Sequence, residues 1–140
     1  MPTNATNKDI ASLLAPYPPE SQKLVQATRT FVLETVRPTV EQVDLKARVI
    51  GYGFGTKYAD MICSIMPTQA GVTLGIGWAT QLPDPKGLLE GTGKVHRHVK
   101  LKQKSDLERP ALKAVLKAGV ALWEKTRRET KTTKSRPKAN

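Results

Sequence analysis

Apolar positions recur along the chain with two different periods, and the changes between them mark out its parts. Near the start, Ile10, Leu13 and Leu14 share one side of a helical repeat, and Asn7 is placed to cap a short helix ending at Leu14. Pro16, Pro18 and Pro19 close that segment. They also open a second helix, expected from about Pro19 to Val36, because proline suits a first helical turn whose N–H has no partner. Leu24, Thr28, Phe31, Val32 and Val36 form its expected buried stripe. Glu20 near its start and Arg37 at its end suit the helix dipole, and Pro38 ends it.

From Val43 the period changes to two. Val43, Leu45, Ala47 and Val49 alternate with polar residues as far as Lys46, and Gly51, Gly53 and Gly55 then break the run. A second strand is predicted over residues 58–66, a turn over 67–71 and a third strand over 72–78. In the third, Val72, Leu74, Ile76 and Trp78 share a face, and Thr73, Gly75 and Gly77 leave the other nearly bare. Such a bare face either admits another backbone or a ligand, or relieves twist beneath a packed helix. Short strands joined by short turns predict an antiparallel meander. Residues 79–93 form a longer connection, stiffened by Pro83-Asp84-Pro85 and tacked down by Leu82, Leu88 and Leu89.

After the Gly91-Thr92-Gly93 turn, Val95, Arg97, Val99 and Leu101 alternate with Lys94, His96, His98 and Lys100. The first set suits a core if Arg97 lies near its rim or finds a partner. The second set makes a wholly polar face, cationic or able to become so. Ser105 and Glu108 match a capping box, and the main closing helix is expected from Pro110, with Leu112, Val115, Leu116, Gly119, Leu122 and Trp123 as its stripe. A turn or two of helix can follow Glu124, but the end is expected to be disordered, for it has no large apolar residue to anchor it. The expected organisation is an N-terminal segment with a short helix (1–18), an α+β domain (19–125) and a basic tail (126–140).

Charge sharpens this division. Residues 1–93 hold eight Lys/Arg and eight Asp/Glu, whereas residues 94–140 hold 15 basic and four acidic groups and so carry the entire formal charge of +11. Such asymmetry points to an anionic partner or a basic tail. The single cysteine, Cys63, leaves no intramolecular disulfide and no Cys-rich zinc site. With no basic and apolar leader at the N-terminus, a reducing cytoplasmic setting is expected. No run approaches the roughly 18 apolar residues of a membrane span.

Gly91-Thr92-Gly93-Lys94 is not a Walker loop. Gly87 is one residue too far from Gly93, Val95 stands where a hydroxyl is required, and the loop leads into a strand. Its backbone N–H groups can still form an anion nest. No G-x-S-x-G, H-E-x-x-H or paired-carboxylate motif is present, and Cys63 in an apolar strand reads as a small buried hydrophobe.

The Pro-Pro-Glu helix start, the meander, the stretch LPDPKGLLEGTGKVHRHVKL and the closing amphipathic helix resemble the YdhG-like family of small bacterial domains of unknown function, over roughly residues 8–125. The resemblance implies an α+β fold, an antiparallel β-meander with N- and C-terminal helices packed on one face, similar to frataxin. Some members are described as frataxin-like iron chaperones, so it also implies iron as an alternative cargo; no other cofactor is expected.

The expected function is that of a non-catalytic binding module for an anionic small molecule or an acidic protein surface. Its expected ligand residues are Gly91, Thr92, Gly93, Lys94, Arg97, His98 and Lys100. Arg97 reaches the site from the strand's other side, or pairs with Glu90 or Asp84. His96 and His98 share a strand face and form the candidate metal pair, which needs further ligands such as Asp60 or Glu90. A third reading is weak, non-specific nucleic-acid binding through the tail, with Tyr52, Phe54 and Tyr58 as aromatics that could be exposed. The chain is expected to be a monomer or a homodimer, since a second copy could cover an open strand edge or sheet face.

Overall fold

The computed structural model describes residues 6–36, 40–55, 60–82, 89–91 and 97–134. Two helices, α1 (Asn7–Leu14) and α2 (Pro19–Thr35), precede strands β1 (Val40–Asp44), β2 (Val49–Gly53), β3 (Met61–Thr68), β4 (Gly71–Ile76) and β5 (Arg97–Leu101), and α3 (Pro110–Lys134) closes the chain. The five strands form one antiparallel sheet in sequence order, so the fold is α+β with a meander sheet. Among the described residues, no helix is long and apolar enough to cross a membrane.

The register places apolar residues in rows across the strands. Val43, Ile50, Ile65, Leu74 and Val99 form one row, and Pro67, Val72 and Leu101 lie in another on the same face. Leu24, Val25, Thr28 and Val32 of α2 and Leu112, Val115 and Leu116 of α3 are buried with them, which fixes this as the helix-covered face. Both helical stripes follow the 3.6-residue period expected from the sequence.

Local side-chain chemistry moves several boundaries. Thr6, not Asn7, caps α1: its Oγ1 accepts from Asp9 N at 3.1 Å, and the Asp9 carboxylate accepts from Thr6 N. The alternating run around Val43–Val49 is two strands joined by a turn over residues 45–48. Asp44 Oδ1 accepts from Ala47 N at 2.9 Å, and Arg48 takes a φ of 60°. Such a side-chain bond competes with the strand ladder. Leu45 is therefore 43 % exposed instead of joining the core. Arg48 Nη1 donates to Leu13 O at 3.1 Å, tying the turn to the end of α1.

Gly51 and Gly53 lie inside β2 and do not break it. Pro67 and Thr68 belong to β3, so the β3–β4 turn shrinks to Gln69-Ala70. Trp78 follows β4 in a turn with φ 55°. The short 3₁₀ turn Lys104–Glu108 is capped through Gln103 and Asp106 and not through Ser105 and Glu108, and α3 starts at Pro110 as predicted. It continues to Lys134, beyond the turn or two expected after Glu124.

Candidate functional site

The covered face carries the best-ordered charges. Glu41, Tyr52, Cys63, Ile76 and Arg97 form its third row. Period two puts Glu41 on the same face as Val43, and that was the signal available in sequence for a buried carboxylate. Arg29 of α2 donates from Nε and Nη2 to its two oxygens at 2.8 and 2.9 Å, and the Tyr52 hydroxyl donates to Oε2 at 2.6 Å. The fork geometry suits a carboxylate. The bond to Glu41 raises the Arg29 pKa, and burial, helped by the Glu41 charge, raises that of the Tyr52 phenol. Burial also pushes the Cys63 thiol up to about 12, so it offers little nucleophilic thiolate near neutral pH.

On the other face, Gln42, Gly51, Ser64, Gly75 and His98 make a row of small residues with a polar side chain at each end. Met66, Thr73 and Lys100 form the next row. Apart from the glycine Gly51, no member of these two rows is buried, so the bare face noticed at Thr73, Gly75 and Gly77 is the one that α2 and α3 leave uncovered. Twist relief beneath a packed helix therefore does not account for Gly75.

Small residues turn this row into a trough. A Cβ at Gly75 would stand 2.7 Å from Ser64 Oγ, and one at Gly51 would stand 2.8 Å from Met61 Cε, so neighbouring side chains already lean across both glycines. At the β5 end is a concavity of about 290 Å³, with Met61 and Met66 as apolar side chains, His98 on its polar side and Arg97 of the covered-face row reaching its border. This volume lies near the low end for small-molecule sites. A shallower hollow of about 650 Å³ continues the trough toward Gln42, Asp44 and Asp9 and shares Met61 and Ser64 with the first.

Three of the expected ligand residues meet here. Arg97 and His98 line the concavity, and the main chain of Glu90 pairs with that of His98 through two hydrogen bonds of 2.7 and 3.0 Å. This bridge brings Gly91 beside the imidazole: a Cβ on Gly91 would lie 3.2 Å from the ring. Its φ of 106° favours glycine independently. Lys100 shares the open face but lies one row away, is exposed and does not line the concavity. Thr92, Gly93, Lys94 and His96 lie outside the described residues. The candidate pair His96–His98 is thus represented by His98 alone, and no three of His, Cys, Asp or Glu among the described residues gather into a metal-holding group.

Two sequence-based expectations about aromatics change. Tyr52 is 1 % exposed and bonded to Glu41. Phe54 packs on Trp123, with ring centroids 4.3 Å apart, and Trp123 Nε1 donates to Asp60 Oδ1 at 3.3 Å. Tyr58 lies outside the described residues. The Met61–Ser64–Met66 wall was missed by sequence reasoning, because these residues converge on His98 only through cross-strand pairing.

Comparison with known proteins returned no matching family model, no matching curated protein and no matching solved structure.

Proposed function

We propose that this chain is a YdhG-like, non-catalytic binding module that takes a small anionic ligand with an apolar body on the open face of its sheet. The observation that carries this reading is the concavity over Ser64 and Gly75, apolar along Met61 and Met66, with His98 on the open face and Arg97, from the covered-face row of the edge strand β5, at its border. The apolar body of a ligand would displace water from the methionine wall. Its carboxylate or phosphate would meet the guanidinium of Arg97, with the His98 imidazole as a second donor. The small volume favours a small molecule over the acidic protein surface that sequence also allowed. The high thiol pKa of Cys63 fits a site that binds without covalent chemistry.

The test is an NMR titration of the full chain with benzoate and phenyl phosphate, using benzamide as the uncharged control. The reading expects amide shifts centred on Ser64, Gly75 and His98. It also expects benzamide to bind about tenfold or more weaker, as loss of a charge-assisted hydrogen bond predicts. Equal binding of benzamide, or shifts confined to other surfaces, would overturn the assignment.

A further inference from the structure

The two hollows on the open face form one trough, because they share Met61 and Ser64. Among the described residues, the two large apolar side chains left exposed are Leu45 at 43 % and Met66 at 38 %, and each lines one hollow. Charge divides the trough in the same way. Asp9 and Asp44 line the hollow at the β1 end, and Arg97 and His98 line the one at the β5 end. Among the described residues, neither hollow is lined by a group of the opposite sign. Each aspartate has one oxygen in a local bond: Asp9 Oδ2 accepts from Thr6 N, and Asp44 Oδ1 accepts from Ala47 N. A carboxylate has two oxygens, so each keeps a second one for a further donor. Four interstrand spacings separate Gln42 of β1 from His98 of β5, which is about 19 Å.

Taking the Arg97–His98 end as the anion site of the proposed function, we infer that the whole trough holds a bipolar amphiphile of the long-chain ω-amino acid class. Its carboxylate lies at the β5 end and its ammonium between Asp9 and Asp44. The methylene chain crosses the glycine and serine row between Met66 and Leu45, and releases water from both exposed apolar side chains. An ammonium has three donors and no acceptor, which suits two carboxylates and gives them no competitor. Length fits as well. A polypeptide covers about 3.6 Å over three backbone bonds, so an extended chain of twelve bonds reaches roughly 14 Å. The polar side chains at the two ends span the rest. A dianion of the same length would set a carboxylate against Asp9 and Asp44, and facing like charges is a means of rejection.

The test is an NMR titration of the full chain and of its D9N/D44N variant with 12-aminododecanoate, 12-hydroxydodecanoate and dodecanedioate, each below its micelle concentration. Asparagine keeps an oxygen for Thr6 N and for Ala47 N while removing the charge. The amino acid should bind about fivefold or more tightly than the hydroxy acid, as a charge-assisted hydrogen bond exceeds a neutral one. Dodecanedioate should bind weakest. Amide shifts should reach Gly51 and Asp44 as well as Ser64, Gly75 and His98. In D9N/D44N the hydroxy acid should bind as before, which also shows that the variant is folded, and the preference for the amine should vanish. Equal affinity for the amino and hydroxy acids, a preference that survives in the variant, or shifts confined to the β5 end would overturn the inference, while benzoate binding would still uphold the anion site. Failure of benzoate and of all three acids alike would overturn both. Shifts of the same amides with protein concentration alone would assign the trough to a second copy of the chain and overturn the inference too.

Discussion

The two faces of the sheet treat polar groups in opposite ways. On the covered face, Glu41 is closed off by three donors from Arg29 and Tyr52, and the Thr28 hydroxyl donates to Leu24 O at 2.7 Å. Among the described residues, no buried side-chain polar atom lacks a partner. On the open face, His98 and Gln42 end a row whose middle is glycine and serine. A charge taken out of water must be paired within the fold, so the Glu41 cluster is committed to holding α2 on the sheet. Polar groups beside a half-open concavity can still exchange water for a ligand. The strongest ion pair is therefore structural, and the chemically plainer trough is where the proposed ligand would sit.

The contrast can be broken first at Glu41. Replacing it with Ala strands the Arg29 guanidinium and the Tyr52 hydroxyl, and should lower unfolding stability by about 3 kcal/mol in a denaturant titration. A loss below about 1 kcal/mol would mean that the cluster does not anchor α2. On the open face the outcome should reverse. Gly75→Val fills the trough against the end of a movable Ser64 side chain, so the denaturation midpoint should barely change. Benzoate affinity should still fall by about tenfold, as expected when a packed apolar contact is blocked. Retained affinity would move the ligand away from this row.

A smaller effect is expected at Gly91. Gly91→Ala meets both a φ of 106° and the His98 ring, and should lower stability by about 1 kcal/mol while shifting the His98 ring resonances in NMR spectra. Unmoved His98 signals would separate Gly91 from the site.

The smallest change concerns Asp106, away from both faces. Backbone N–H groups of Lys102, then of Gln103, together with the Arg109 charge hold its carboxyl below the usual carboxylate range. Its contribution is present above the ordinary carboxylate pKa and is lost as pH falls through the lowered value. Asp106→Ala should cost about 1 kcal/mol at pH 7 and less in acid, read from melting curves across pH. An equal loss at every pH would show that the carboxylate charge is not involved.

Reading the sequence located α2 and the start of α3 well, because a 3.6-residue stripe flanked by proline is a local signal. It also placed Val99 and Leu101 opposite His98 and Lys100, since strand alternation is fixed by the backbone. It failed around Leu45, where Asp44 bonds Ala47 N and so turns a chain that alternates as if extended. It failed at Tyr52, whose neighbouring glycines suggested exposure although its hydroxyl is used by Glu41.

By itself, then, the sequence determined the α+β class, the meander of short strands, the two long helices and the gathering of all net charge after residue 93. Only the tertiary structure decided that Arg29, Glu41 and Tyr52 close on one another, and that Ser64, Gly75 and His98 fall in one row. The reason is physical. Periodicity and capping act over a few residues, whereas a row across a sheet depends on the register of separate strands, set by which faces bury together.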